Sequence, residues 1–153
     1  MKLFGALEAG GTKMVCAIGD ENGNILERVS IPTGTPENTM PPMIEFFKGK
    51  GISALGIGCF GPVDLDKKSP TYGYITSTPK LAWTNYPIVA EFEKALRVPV
   101  GFDTDVNAAA LGEATWGCTK DVENSIYITI GTGVGVGVIA NGKPYHGMIH
   151  PEG

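Results

Sequence analysis

The chain has 153 residues and carries 12 Lys and Arg against 16 Asp and Glu, a formal net charge of -4. This balance argues against a nucleic-acid binder, and the hydrophobic content of 42% supports a folded core rather than intrinsic disorder. The apolar runs are too short to predict a membrane span or a secretory signal. The 3 cysteines are widely spaced and form no C-x-x-C pair, so we expect a reduced, cytoplasmic protein.

The first part of the chain predicts three antiparallel strands. Apolar patterning places them at 3–9, 14–19 and 25–31, with a tight hairpin turn at Asn22-Gly23 between the last two. Thr35 then precedes a helical pattern that begins at Pro36 and stops at a Gly-Lys-Gly segment.

The rest of the chain alternates between helices and strands, apart from a long Pro-rich loop over 61–86. Asp105 is the predicted cap of the last helix, and a second sheet is expected to begin near residue 124. This alternation predicts an α/β domain. The predicted helices cover 36–48, 87–96 and 106–116, and the predicted strands cover 54–60, 98–102, 125–130 and 134–140.

One supersecondary pattern occurs twice. A strand, a Gly-Thr turn, a second strand and an Asn-Gly turn follow one another around Gly11-Thr12 and again around Gly131-Thr132. The sequence therefore predicts that the same hairpin has been used in both halves of the chain.

Both Gly-Thr turns have the composition of a phosphate-binding turn. Gly10 and Gly11 allow close backbone approach to a ligand, Thr12 adds a hydroxyl donor, and Lys13 adds a positive charge. The alternative for this segment alone is a plain hairpin turn. The second copy, 131–137, has four glycines in an apolar stretch, which indicates close approach of a ligand or, alternatively, tight packing against a neighbouring element.

The segment 103–107 follows a predicted strand and opens a helix, where ligands tend to bind in α/β proteins. A carboxylate there can accept a proton from a hydroxyl that attacks phosphorus, so Asp105 is the candidate general base. The alternative is that Asp105 only caps the helix. Segment 58–64 is a weaker candidate for a pocket wall, and His146 and His150 are not predicted to form a metal site, because Gly147 and Pro151 interrupt any helix between them.

Taken in order, these motifs resemble the sugar kinases of the ROK family. The matching segments are Glu8 to Lys13, Gly58 to Asp64, Thr104 to Ala110, Gly131 to Gly137 and His150 to Glu152. The resemblance implies an actin-like, hexokinase-like ATPase fold, a ribonuclease H-like α/β domain over 1–117. Residues 118–153 would then be the incomplete beginning of a second, similar domain.

The resemblance also implies roles for individual residues. Asp105 would be the catalytic base, Mg²⁺ would bind near Glu8, and the sugar would contact Gly61, Pro62, Thr104, Asp105 and Glu152, with His150 as a further candidate. The family's structural Zn²⁺ is expected to be missing, since its Cys cluster is absent from this chain. The residues expected to bind the phosphates of ATP are Gly10, Gly11, Thr12, Lys13, Gly131, Thr132, Gly133 and Gly135.

Two positions move the expected substrate from glucose to D-fructose. Thr104 and Lys80 stand where most glucose-type members have Asn, and both changes resemble the fructokinase branch. The family's chain is about twice as long, so we expect this chain to be a fragment that is inactive alone, or to pair with itself as a homodimer or with another chain. The alternatives are a non-catalytic sugar-binding or regulatory module and a kinase of the acetate kinase type.

Overall fold

A computed structural model describes residues 1–131 and 133–147 and contains two β-sheets with three α-helices. The predicted α/β class is confirmed. The strands are β1 (Leu3–Ala9), β2 (Lys13–Asp20), β3 (Ile25–Pro32), β4 (Ile52–Cys59), β5 (Val100–Thr104), β6 (Ser125–Ile130), β7 (Val134–Ala140) and β8 (Lys143–Pro144). The helices are α1 (Pro36–Phe47), α2 (Ile88–Leu96) and α3 (Asp105–Thr115), and a short 3-10 turn covers Leu81–Trp83.

The first sheet has five strands in the order β3-β2-β1-β4-β5. β1, β2 and β3 form the predicted antiparallel meander, whereas β4 pairs parallel to β1 and β5 pairs parallel to β4. Helices α1 and α2 cover one face, where Leu7 and Ile57 of the sheet join Phe47 and Phe92 in the main core. This arrangement brings the carboxyl ends of β1, β4 and β5 to one edge, where the predicted motifs lie.

The prediction that Asp105 caps α3 is wrong. Thr104 is the N-cap, with an extended backbone (φ -68°, ψ 156°) and a side-chain oxygen that accepts a hydrogen bond of 3.2 Å from the Asn107 N–H. Asp105 is the first helical residue. The strand predicted at 98–102 begins and ends two residues later in the structure, as β5. Pro99 has no N–H to donate to the ladder, so the strand begins after it.

The two Asn-Gly turns lie where they were predicted but are built differently. At Asn141-Gly142 both residues have positive φ (52° and 73°), as a two-residue hairpin turn requires. In the first turn only Gly23 has positive φ (83°), and the Asp20 carboxylate accepts hydrogen bonds from the backbone of Asn22 and Asn24. The first hairpin is therefore one residue longer and is held by a side chain.

The second sheet, in the order β6-β7-β8, packs on α3. A Cβ on Gly137 would lie 2.2 Å from the Val106 carbonyl oxygen, and one on Gly135 would lie 2.8 Å from Cγ1 of Val106. These two glycines therefore allow close helix packing, the alternative that the sequence left open. The other face of this sheet exposes Ile126, Ile128, Ile130 and Val134, by 65%, 58%, 81% and 69%.

The division of the chain at residues 117 and 118 stays a prediction. The two sheets lie on either side of that point in sequence, but α3, which precedes it, contacts both. Within residues 1–131 and 133–147, no helix is long and apolar enough to cross a membrane.

Candidate functional site

Two carboxylates from different strands lie in one row of the first sheet. Glu8 of β1 is paired with Gly58 of β4, and Gly58 is paired with Asp103 of β5. Residues paired in this way point to the same face of a sheet, so both acidic side chains lie on the face that α3 covers. A Cβ on Gly58 would lie 2.6 Å from Cβ of Ala108 and 3.4 Å from Cα of Asp105, so glycine at this position lets the helix start approach the sheet.

Asp105 has a carboxylate that is not used to cap the helix. Its Oδ1 accepts a hydrogen bond of 2.9 Å from the Val106 N–H, and the backbone N–H of Asp105 itself contributes a second hydrogen bond to the carboxylate. Burial raises the pKa of this carboxyl above its ordinary value, and the nearby negative charge of Glu8 raises the pKa further. Backbone hydrogen bonds oppose the shift without cancelling it. A carboxylate with a raised pKa is suited to general-base work near neutral pH.

Asp103 connects the start of α3 to the second sheet. Its Oδ1 accepts hydrogen bonds from the Thr104 N–H at 2.7 Å and from the side-chain amide of Asn107 at 2.9 Å. Its Oδ2 lies 2.7 Å from Nε2 of His146, which follows β8. Because Thr104 and Asn107 are buried, this network fixes the backbone on which Asp105 is mounted.

The turn between β1 and β2 has free backbone donors. The Gly10 N–H donates to the Lys13 carbonyl oxygen at 3.0 Å, and the Gly10 carbonyl accepts from the Thr33 hydroxyl at 2.8 Å. The N–H groups of Gly11 and Thr12 make no hydrogen bond within the described part of the chain. Two adjacent free N–H groups at a turn can bind an anion, whereas Gly10 has already used its own donor.

The second glycine turn directly precedes β7, the strand that packs on the start of α3. The Gly131 N–H donates to the Gly133 carbonyl oxygen at 2.8 Å, and Thr132 lies outside the described residues. Gly135, two positions further along, packs on Val106, the residue next to Asp105. Of the predicted phosphate-binding glycines, Gly135 thus has a packing role, and phosphate binding by any of them stays a prediction.

Two cavities adjoin at Asp103. One, of about 770 Å³, is lined by Pro62, Asp64, Thr76, Asp103 and His146 among others, and the predicted Gly61 directly precedes Pro62. The other, of about 730 Å³, is lined by the carboxylates Glu8, Asp103 and Asp105 and by apolar residues that include Trp116 and Tyr127. Residues 62–64 of the predicted sugar-pocket loop and the predicted base therefore line neighbouring cavities, whereas Gly58 at the start of that loop lines the cavity of Asp105.

The predicted sugar contacts differ in how the structure places them. Pro62 faces the first cavity, and its carbonyl accepts a hydrogen bond of 2.8 Å from the Thr76 N–H. Thr104 is 5% exposed and its oxygen is used as the helix cap, so its sugar contact stays a prediction without supporting geometry. His150 and Glu152 lie outside the described residues.

Mg²⁺ fits the acidic side of this site. Glu8 offers a hard oxygen ligand, and Mg²⁺ commonly takes one or two protein carboxylates and completes its shell with water and phosphate oxygens. Within residues 1–131 and 133–147, no three His, Cys, Asp or Glu side chains are grouped closely enough to hold a metal ion alone. Glu8 would therefore hold the ion together with the substrate, and nothing in the described residues offers a zinc site.

Two features of the site were missed from the sequence. The ion pair between Asp103 and His146 joins residues 43 positions apart, and only the location of Asp103 at a strand end pointed to it. Lys80 was noticed for its residue type, but its position against the Gly11 turn was not predicted.

Comparison with curated proteins finds relatives that are named fructokinase. The chain is 49% identical over 150 residues to the fructokinase of Pediococcus pentosaceus, which covers 98% of this chain and 52% of the relative. It is 46% identical over 157 residues to the fructokinase of Zymomonas mobilis, which covers 99% of this chain and 52% of the relative. The chain thus spans about half the length of the curated relatives it matches.

The fold has the same relatives. The solved structure of a ROK family glucokinase from Streptomyces griseus, in complex with glucose and AMPPNP, superposes with a TM-score of 0.78 at 31% identity, over 95% of this chain and 46% of that chain. The expected actin-like, hexokinase-like fold is therefore confirmed. The ROK family description matches residues 4–153, and the chain belongs to the ROK family.

Proposed function

We propose that this chain takes part in the ATP-dependent phosphorylation of a hexose, with D-fructose as the substrate and fructose 6-phosphate as the product. The observation that carries the proposal is the state of Asp105. Its carboxylate is not used as the helix cap, its pKa is raised by burial, and it lies beside Glu8 at the start of a helix on which β7 packs through Gly135 and Gly137.

The phosphates of ATP would bind at the two turns. The free N–H groups of Gly11 and Thr12 donate to phosphate oxygens, and Lys13 adds positive charge. Gly131 and Gly133 approach from the second sheet. Mg²⁺, held by Glu8 and the phosphates, would neutralise charge on the phosphate oxygens.

Asp105 would act as the general base. As the sugar 6-hydroxyl oxygen attacks the γ-phosphorus, its proton passes to Asp105 and the bond to the bridging oxygen breaks, which releases ADP. General-base help of this kind contributes about 10²- to 10⁴-fold in rate. Asp103 and Asn107 keep the base in place through their hydrogen bonds at the start of α3.

Fructose is favoured by two observations. The relatives at 49% and 46% identity are named fructokinase, whereas the glucokinase structure in complex with glucose is 31% identical. Thr104 and Lys80 also depart from the glucose-type residues at their positions. The cavity beside Pro62 would take the sugar.

The cellular location and the oligomeric state are part of the proposal. All three cysteines are free, which supports a reduced, cytoplasmic location. The exposed apolar face of β6 and β7 supports association with another chain, and we propose a homodimer.

A coupled assay of ADP release with fructose, mannose and glucose, run on a protein that carries this chain at the full length of its relatives, tests the proposal. We expect fructose to give the highest kcat/KM and Asp105→Asn to lower it by about 10²-fold or more. Asp121→Asn, an exposed carboxylate outside the site, is the matched control and should leave the rate unchanged. An Asn variant as fast as the parent would show that Asp105 is not the base.

Loss of activity in this variant can be separated from unfolding. Because the pKa of Asp105 is raised in the folded chain, folding favours its protonated form, and stability falls as pH rises from the unfolded-state pKa to the folded-state pKa. Asp105→Asn removes this penalty, so the variant should be at least as stable as the parent at neutral pH. Calorimetry with the same sugars covers the alternative function, since fructose binding without turnover by the protein of full relative length would identify a non-catalytic sugar-binding module.

A further inference from the structure

Lys80 has a firmly held backbone at the end of the long loop. Its N–H donates to Oγ1 of Thr78 at 3.2 Å, and its carbonyl oxygen accepts from the Trp83 N–H at 2.7 Å. Trp83 is 1% exposed, and its indole donates to the Gly34 carbonyl at 2.8 Å. The chain around Lys80 is therefore anchored to the core, so the start of its side chain is fixed.

The side chain of Lys80 lies over the first glycine turn. A Cβ on Gly11 would lie 3.2 Å from Cε of Lys80, and outside the turn residues 10–12 no other atom of the described residues lies within 4 Å of that position. The ammonium group is bonded directly to Cε. It therefore lies near the turn that carries the free N–H groups of Gly11 and Thr12, although it comes from a segment almost 70 residues away in sequence.

The charge of Lys80 is unmatched at this place. The two ion pairs among residues 1–131 and 133–147 are those of Lys50 with Glu27 and of His146 with Asp103, and neither involves Lys80. The side chain is half-buried rather than extended into water. A lysine near a turn with free backbone donors, and without a carboxylate partner among the residues that the structure describes, is suited to receive an anion.

We propose that Lys80 is a catalytic residue that contacts the phosphate oxygens of the nucleotide at the Gly11 turn. This inference rests on the proposed kinase function and extends it, because Lys80 would be a second cation at that turn. Lys13 follows the turn directly in sequence, whereas Lys80 comes from the long loop. Lys80 forms no covalent bond in the reaction. Its ammonium donates hydrogen bonds to phosphate oxygens and offsets the charge that develops on them as the bond to the leaving group breaks.

Calorimetry with inorganic tripolyphosphate, which has the charge of the nucleotide tail but no base or sugar, tests the inference on the full chain. We expect Lys80→Met to weaken tripolyphosphate binding about tenfold or more, and Lys80→Arg to retain most of the affinity. The matched control is Lys94→Met on α2, which removes the same charge from an exposed position and should change the affinity little. Equal affinity of the parent and Lys80→Met would overturn the inference, as would a loss of fructose affinity alone.

A second measurement does not depend on how the variant folds. In the parent chain, tripolyphosphate should protect Lys80, but not Lys94, from acetylation followed by mass spectrometry. If tripolyphosphate binds without protecting Lys80, the inference fails while the phosphate site stands. If the parent does not bind tripolyphosphate at all, the proposed phosphate site fails and the inference fails with it.

Discussion

Gly58→Ala tests whether the close approach of α3 to the sheet places the base. The new Cβ would lie 2.6 Å from Cβ of Ala108, whereas ordinary contacts between such atoms begin at 3.4 Å. Helix and sheet must therefore separate by about 1 Å, an overpacking change that costs about 1 to 3 kcal/mol of stability. Because Asp105 lies in the first turn of the same helix, a shift of this size would also lower phosphoryl transfer by about 10²-fold.

Urea unfolding and the coupled assay measure the two effects. Gly56→Ala on the same strand is the matched control, since a Cβ there would meet only the Gly5 carbonyl oxygen, at 4.0 Å. Ala108→Gly removes the clashing atom, so the double variant should recover stability beyond the sum of the single changes, less about 1 kcal/mol for glycine in a helix.

The reasoning would be refuted if Gly58→Ala were as stable as Gly56→Ala. It would also be refuted if Ala108→Gly gave no recovery, because the clash would then not be the cause of the loss.

Three further outcomes are expected. Glu8→Gln removes a negative charge that helps to raise the pKa of Asp105, so the acid limb of kcat/KM should move to lower pH, and a limb that stayed in place would contradict this electrostatic coupling. A double-mutant cycle of Asp103→Asn and His146→Gln, read by thermal unfolding, should give a coupling of about 0.2 to 1 kcal/mol, since His146 is largely exposed. Ile128→Lys should reduce binding of a hydrophobic dye and self-association in sedimentation, without loss of secondary structure, because Ile128 is 58% exposed on an apolar face.

The sequence predicted the strands and turns well because their signals are local. Period-2 and continuous apolar patterns placed β1, β6 and β7 at their observed bounds, and the Asn-Gly pairs located both hairpins. The type of the first turn could not be predicted, because the Asp20 carboxylate adds hydrogen bonds to the backbone of Asn22 and Asn24. The competition between a side chain and the backbone decides such turns.

The site was predicted less completely because it is built from contacts between distant segments. Asp105 was identified as the candidate base because it follows a strand. Whether it also caps the helix depended on Thr104, whose hydroxyl competes for the same helix end. The packing of Gly135 on Val106 could not be told apart from a phosphate contact in the sequence, because both favour glycine at that position. Lys80 carries no local motif, and only the folded loop brings it to Gly11.

The first turns of helix α3 are packed between the two sheets. The absence of a side chain at Gly58 lets Asp105 and Ala108 pack against the first sheet, and its absence at Gly137 lets Val106 pack against the second. A hinge motion that tilts one sheet towards the other must then carry the helix start with it. The motion that excludes water from the site would also change the distance from the Asp105 carboxylate to the sugar hydroxyl. Enclosing the substrate and positioning the base would then be one movement.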